Sequence, residues 1–496
     1  MKYNDFMKEI TKEELLEGLL GYGMFGEKIP PIFTSIPLYE FCKTKGYDWR
    51  DNNPHSNITY ESMRNISVPR ILSIPYPSSH VNLCRFLSDN WGKLQDYFDE
   101  KTKDLTLKVS RIHIRKLKDK KELFEMNYKN GFKDGYPDSD LSIGSRFIVK
   151  ADISNCFPSI YTHAISWAIA GIVEAKKNQH NKELWYNKLD LYTRSLKDNE
   201  THGILIGPHA SNIISEIILV AVDFKLSKKY KYYRHIDDYT CYTSTQQEAD
   251  QFLIDLATEL KAFSLLLNHK KTEIIKLPIS SNDSWINKMN CLILSDKISI
   301  REIKLYIDTA IELTNLTGNV AIINYAIKVI SKKELDSKAI DYYLKTIHHL
   351  IIIFPYLLPI IEDFVFFPFK TESSIIKKIA TDILSDGIKF NRYDAMSFAL
   401  YYAMKYNFIF DKFKFLDIVE KCEDCVFMVL AYLYDIKHLP KLKESYKKIA
   451  LLLQKDQFER DKFWLFIYEV LPQTDLIQTD LKALKNGKLS FIKEFS

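Results

Sequence analysis

The sequence predicts an α+β protein: a mixed first part, in which short strands end in acidic motifs, followed by an all-α second part. Three observations predict it. Glycine thins out along the chain, since only Gly318, Gly387 and Gly487 lie beyond Gly207. From about Ile303 onward, apolar residues recur at three- and four-residue steps, as at Tyr306, Ile307, Ala310, Ile311 and Leu313. That is the period of helices with one buried face. Before that point, aromatic and β-branched runs at 147 to 153 and 230 to 244 read as strands, and they carry Asp152, Asp237 and Asp238.

Composition bounds the answer. A chain of 496 residues is too long for one ordinary core, so two or three domains are expected, and 46% hydrophobic residues suffice to fold them. A net charge of only +5 excludes a surface saturated with nucleic acid and leaves room for a local basic groove. Seven scattered cysteines and an N-terminus unlike a signal peptide favour a reducing, cytoplasmic setting. Residues 350 to 361 are almost wholly apolar, but they contain Pro355 and Pro359 and are closed by Glu362 and Asp363. They also fall short of the roughly 20 residues of a spanning helix. A buried core segment is expected there, and no membrane partner.

In chain order, residues 12 to 20 are amphipathic and helical. The glycine-rich Gly21-Tyr22-Gly23-Met24-Phe25-Gly26 follows, with a turn at Pro30-Pro31. With neither GxxxxGK[ST] nor GxGxxG present, this reads as a helix terminator and not as a phosphate loop. Arg70 leads the strand that runs to Pro75. Its guanidinium suits bidentate phosphate recognition, against the commoner surface arginine at a strand end. Between about 100 and 135, Lys101, Lys103, Lys108, Arg111, Arg115, Lys116, Lys118, Lys120 and Lys121 interleave with Val109, Ile112, Ile114 and Leu117. That pattern suits a strand or hairpin with one basic face for phosphates, although most charge runs are simply solvated.

Residues 147 to 153 form a buried strand delivering Asp152, and Phe157 follows five residues later. In a nucleotide-transfer site a ring there would lie under the sugar and exclude a 2′-hydroxyl. Taken alone, a core phenylalanine is the better reading. Gly203-Ile204-Leu205-Ile206-Gly207-Pro208 opens an apolar helix at 212 to 223 and would set backbone groups, Gly207 among them, against a bound nucleotide. By itself this signal is weak. The run 230 to 244 is a hairpin with Asp237-Asp238 in its turn. After a helix at 248 to 263, Asn268-His269-Lys270-Lys271-Thr272 brings Lys271 out beside a strand, where it could reach a triphosphate or the leaving pyrophosphate.

Three carboxylates on rigid strand ends could hold two Mg²⁺ ions. If buried together without a cation they would repel by several kcal/mol, so a cation is implied if the strands are neighbours. The competing reading is an Asp-Asp turn with no metal.

Beyond 303, helices are expected at 375 to 384, with Gly387 as C-cap, and then at 394 to 406, 415 to 434, 440 to 455 and 461 to 471. A helical-repeat domain and an irregular bundle both fit, since no strict period is visible. Cys422-Glu423-Asp424-Cys425 has no second pair nearby and His348-His349 no partner at ligand spacing, so neither reads as a metal site.

The ordered set Arg70…Ile74-Pro75, Ala151-Asp152-Ile153 with Phe157, Gly203…Ile206-Gly207-Pro208, Ile236-Asp237-Asp238 and Leu267-Asn268…Lys271-Thr272 resembles the fingers and palm motifs of reverse transcriptases. The glycine-proline loop, the N-terminal Leu-Leu-Gly-Tyr-Gly…Pro-Pro segment and the helical second half resemble the bacterial abortive-infection (Abi) reverse transcriptases of the AbiK and P2-prophage type.

The resemblance implies three regions: 1–60, an N-terminal helical segment on the fingers; 61–300, fingers and palm; and 301–496, a helical-repeat (HEAT-like) domain in place of a thumb. It implies a phage-defence DNA polymerase that adds dNTPs without a template, from a protein tyrosine, leaving single-stranded DNA covalently attached. It also implies a homo-oligomer, trimer or hexamer, with a phage protein as trigger. By the same resemblance Asp152, Asp237, Asp238 and the Ile153 carbonyl would hold Mg²⁺, or Mn²⁺ in its stead. Phe157 would gate the sugar, Arg70 would contact the triphosphate and Lys271 would assist the leaving group. Two departures stand out: His235 where Tyr or Phe is usual, and Ile206 where template-copying relatives commonly have Gln. The alternatives are a conventional RNA-templated reverse transcriptase and a non-catalytic nucleic-acid or phage-protein sensor on a decayed palm. Retention of all three aspartates argues against decay.

Overall fold

A computed structural model describes residues 5–45, 53–64, 68–103, 115–116, 124–125, 137–280, 283–411, 414–456 and 459–494. The chain folds into a helix-rich mixed α and β structure around one contiguous apolar core that draws on residues from Met7 to Phe491.

Two antiparallel sheets carry the first part. Strands β1 (Ile58–Ser62) and β2 (Arg70–Ile74) pair with Ser62 opposite Arg70. The larger sheet is built from β3 (Phe147–Asp152), β4 (Tyr232–His235), β5 (Asp238–Thr243) and β6 (Glu273–Lys276), in the order β4-β5-β3-β6. Alternation along β3 sets its two faces. Val149 and Ala151 join the main core, while Ile148 packs with Tyr242 and Leu141 on the other side. Helices α1 (His209–Leu226) and α2 (Gln246–Ala262) pack against each other, and α2 packs on β3 and β5. The β3–β5 register ends on Asp152 opposite Asp238.

Before the sheets, the helix Lys12–Leu16 starts in a capping box between Thr11 and Glu14 and widens into a π turn over Glu17–Gly21. The sequence predicts one helix to residue 20. The regular helix stops four residues earlier because Gly23 must come against α1. A Cβ at Gly23 would lie 2.8 Å from both His209 Cβ and the Leu19 carbonyl, and the His209 amide donates to the Gly23 carbonyl at 2.9 Å.

The second part is helical, with two corrections. Gly387 is not a C-cap: the helix runs Ser373–Phe390 and is capped by left-handed Asn391. A Cβ at Gly387 would lie 2.7 Å from Met396 Cγ, so the glycine admits the next helix instead of ending its own. Residues 415 to 434 form two helices, Leu416–Val419 and Cys425–His438, because Asp424 caps the second through the Phe427 amide at 2.7 Å.

No single helix among the described residues is long and apolar enough to cross a membrane. Ser337–Ile353 and Pro355–Phe366 pass such a test only as a pair bent by 117°. Leu350, Leu357, Leu358 and Ile361, all from the apolar run spanning that bend, are buried.

The segment around residues 32–34 meets the one around residues 491–493. Thr34 N donates to the Phe491 carbonyl and Lys493 N to that of Ile32, both at 2.8 Å. The helical part also grips the β1–β2 sheet, where Met63 N donates to Asp394 Oδ2 at 2.9 Å. Of the basic run, Lys108, Arg111, Lys118, Lys120 and Lys121 lie outside the described residues. Within its span the backbone of Arg115–Lys116 pairs antiparallel with Phe124–Glu125.

Candidate active site

The acidic strand ends meet. Asp152 closes β3, and Asp238 opens β5 directly opposite it. The turn between β4 and β5 is Ile236-Asp237, so Asp238 is a strand residue and not a turn residue as the sequence predicts. His235 pairs across that turn with Asp238 and stands edge-on to Tyr233, with ring centroids 5.7 Å apart. Ile153 N donates to the Asp237 carbonyl at 3.2 Å, tying the turn to the end of β3.

From the other flank, the short 3-10 turn His269–Lys271 is held against β3 by Asn268 N, which donates to the Asp152 carbonyl at 2.7 Å. Asn268 Nδ2 donates to Asp152 Oδ1 at 3.0 Å. Lys271 Nζ donates to Asp152 Oδ2 at 2.8 Å, an ion pair in which Asp152 is 7% exposed and Lys271 65%.

The charges are out of balance. Burial first, then the Asp152 carboxylate, push the Asp237 carboxyl above its ordinary value, while Lys271 and Arg70 pull it back. Partial burial, then Asp237 and Asp152, push Asp238 up to about 6. The hydrogen bond to Asp152 raises Lys271. Among the described residues no three His, Cys, Asp or Glu side chains converge closely enough to hold a metal ion, and the Asp152 oxygens are bonded to Asn268 and Lys271. The donors nevertheless fit a divalent cation in kind and in charge. Carboxylate oxygens suit Mg²⁺, and the like-charge crowding that, after burial, raises Asp237 and Asp238 is what a cation relieves.

Phe157 is half-buried on the short helix Cys156–Ser159, and its carbonyl accepts from Ile204 N at 2.9 Å, so the loop at 203 to 208 lies against it. Ile206 gives its carbonyl to Ser73 N at 2.8 Å. Gly207 has φ +128°, and a Cβ there would lie 3.1 Å from the Ser73 carbonyl. Its glycine is thus required by the approach of the loop to β2.

Arg70, at the head of β2, is near enough to Asp237 to act on its charge. Two further cations stand with it. Burial, then Arg70 and Arg64, lower Lys28; burial, then Arg64, lower Arg70. Lys28 lies within the turn closed by Ile29 N, which donates to the Gly26 carbonyl at 3.1 Å. A Cβ at Gly26 would lie 3.6 Å from Gly207 Cα and 3.9 Å from Leu72 Cδ1. No ion pair joins Lys28, Arg64 or Arg70 to a carboxylate among the described residues. Sequence reasoning missed Lys28, Arg64 and Asn268. It also missed Arg234, whose guanidinium donates from Nη1 to the Ile236 carbonyl at 2.9 Å. Cys422 and Cys425 are buried free thiols, and His348 pairs with Asp382 at 3.0 Å.

Residues 105–296 match the family described as reverse transcriptase (RNA-dependent DNA polymerase). No curated protein matches the chain in sequence. Solved structures similar to it include apo telomerase from Candida tropicalis truncated from its C-terminal domain. That match has 15% identity and a TM-score of 0.30, covering 46% of this chain and 51% of that one. Telomerase from Candida albicans, in complex with a fragment of telomeric RNA, aligns at 13% identity and a TM-score of 0.32, over 87% of this chain and 68% of the other. The chain spans about half the length of the first of these. The matched residues hold β3 through β6 and all three aspartates, and they form a reverse-transcriptase domain.

Proposed function

We propose that this domain is the polymerase of a phage-defence system, adding dNTPs without a template to a tyrosine of the protein itself. The observation that carries the polymerase reading is the meeting of Asp152, Asp237 and Asp238 at adjacent strand ends with Lys271 bonded to Asp152. Asp152, Asp237, Asp238 and the Ile153 carbonyl would hold Mg²⁺ or Mn²⁺. Such ions, when bound, activate the attacking hydroxyl and stabilise the leaving pyrophosphate. Lys271 lies beside the carboxylates as a proton donor and counter-charge for pyrophosphate. Arg70, joined by Lys28 and Arg64, takes the triphosphate. Phe157, half-buried and backed by the loop at 203 to 208, excludes the 2′-hydroxyl.

Untemplated, protein-primed synthesis and the Abi affiliation rest on the ordered motifs, on Ile206 in place of an amide, and on the helical second half, read as a HEAT-like domain over 301–496. The same resemblance supports the regions 1–60 and 61–300, homo-oligomerisation, a phage-protein trigger and a cytoplasmic setting. Purified protein with Mg²⁺ and each dNTP, given neither primer nor template, is expected to yield a retarded covalent protein–DNA band that Asp237→Ala abolishes. A second reading, RNA-templated synthesis, is favoured by the description of the matched family. Incorporation only on an annealed primer and RNA would establish it in place of the first. No incorporation under any condition would leave the non-catalytic sensor.

A further inference from the structure

The β4–β5 turn is bent against the preference of its own residue. Ile236 has φ 54°, a left-handed conformation that a β-branched side chain rarely adopts and that glycine usually supplies in tight hairpins. Something must hold it there. Arg234, two residues earlier, is 0% exposed, and its fork of donors is fully used. Nη1 reaches the Ile236 carbonyl at 2.9 Å and Glu216 Oε2 at 3.1 Å. Nη2 reaches Glu216 Oε1 at 3.3 Å and Asp223 Oδ2 at 2.6 Å, and Nε reaches Asp223 Oδ2 at 2.9 Å. Tyr232 donates its hydroxyl to Asp223 Oδ1 at 2.8 Å, completing that carboxylate.

Glu216 and Asp223 both lie on α1, seven residues apart and so on one face. The start of α1 is pinned to Gly23. The arginine therefore ties the turn to a helix fixed elsewhere, with a planar group whose donors have little freedom to wander. A buried ion pair of this kind adds little stability over an apolar replacement, so its use here calls for another reason. The next two residues, Asp237 and Asp238, supply it.

We infer that Arg234 is the positioning residue of the carboxylate site: by holding the Ile236 carbonyl against α1 it keeps the turn left-handed and presents Asp237 and Asp238 toward Asp152. The inference rests on the polymerase reading above. Arg234 touches no reacting atom and acts through Ile236 alone.

The test uses the full chain, dNTP incorporation for kcat and KM, and Mn²⁺ binding without nucleotide followed by EPR. Arg234→Lys keeps a charge but has a single donor head for three acceptors. Arg234→Met combined with Glu216→Gln and Asp223→Asn removes all three charges together, leaving no buried charge without a partner. Both are expected to stay folded by circular dichroism. Each should lose about tenfold or more in kcat with dNTP KM nearly unchanged, and bind Mn²⁺ about fivefold more weakly. Adding Ile236→Gly to either background lets the turn adopt its conformation unaided, and kcat should return to within about threefold of wild type.

A residue serving only core packing would gain nothing from that glycine. Folded variants with wild-type kcat and Mn²⁺ midpoint, or variants that Ile236→Gly does not rescue, overturn the inference. If the neutral triple variant fails to fold, Arg234→Lys with and without Ile236→Gly decides by the same criteria. Wild-type protein that incorporates no nucleotide sinks the polymerase reading and this inference with it. An active wild type with indifferent variants sinks this inference alone.

Discussion

Two ionic clusters stand three residues apart along the same hairpin and are built to opposite ends. In the first, Arg234 meets Glu216 and Asp223, all at most 7% exposed, and every one of their carboxylate oxygens accepts a hydrogen bond. Burial works against the Arg234 charge, and Asp223, then Glu216, more than restore it. In the second, one ammonium answers three carboxylates. Asp152 is bonded on both oxygens, whereas no other described residue donates to the side chains of Asp237 and Asp238. The saturated cluster can only be a strut. The unsaturated one, open to solvent through Asp238 and Lys271, is a place for a cation and a phosphate. Satisfaction of lone pairs, more than the number of charges, separates structure from site.

Removing a carboxylate from each cluster should therefore break opposite properties. Asp237→Asn is expected to abolish nucleotide addition, by about a thousandfold or more in kcat/KM, several kcal/mol of transition-state stabilisation. The same variant should raise the thermal midpoint slightly, because a crowded like charge is gone. Asp223→Ala leaves Arg234 with one partner in a closed interior and should cost about 3–5 kcal/mol in denaturant unfolding. Equal losses of stability in the two variants would erase the distinction between them.

The cations facing the open cluster sharpen the comparison. Lys28→Gln removes a charge that stands with Arg64 and Arg70. It should raise the KM for dNTP about tenfold, roughly 1.4 kcal/mol, with kcat little changed. Lys271→Gln removes the group bonded to Asp152 and should act on kcat instead, about tenfold to a hundredfold, with KM little changed. Incorporation followed over a range of dNTP concentrations separates the two. If Lys28→Gln moved kcat and left KM alone, its place among the phosphate cations would be lost.

The sequence carried the strands and the meeting of their acidic ends, because each strand is a short apolar run closed by an unmistakable pair of charges. It set the turn one residue late, at Asp237-Asp238, and did not show what holds it. Arg234 precedes the aspartates in plain view, but its partners Glu216 and Asp223 lie inside a largely apolar helix, eighteen and eleven residues earlier, and such a pairing is not written in local pattern. Their spacing of seven on that helix was the available signal. Lys28 left none, since its role depends on Gly23 and Gly26 packing onto α1 and the loop at 203 to 208. Gly387 misled for the same reason: a glycine that admits Met396 looks, in one dimension, like a glycine that ends a helix.

Asp424 supplies the intermediate case, a buried carboxylate with backbone donors and no cation. It caps Cys425–His438 through the Phe427 amide, and burial, with Asp394 nearby, pushes it up to about 7. A carboxyl raised in the folded state above its unfolded value of about 3.9 contributes stability that is whole below pH 4 and lost as pH rises through about 7. Asp424→Asn keeps a capping oxygen and removes the charge. It should stabilise the chain by about 1–2 kcal/mol at pH 8 and by almost nothing at about pH 3, below both pKa values, in matched denaturant titrations. The amide gives part of the gain back where a second backbone donor, the Val426 amide, loses its acceptor. Burial raises Asp223 as well, but Asp223→Asn should lose stability at pH 8, because it leaves the buried Arg234 with one carboxylate partner fewer. A cap and a strut would then be told apart by pH alone.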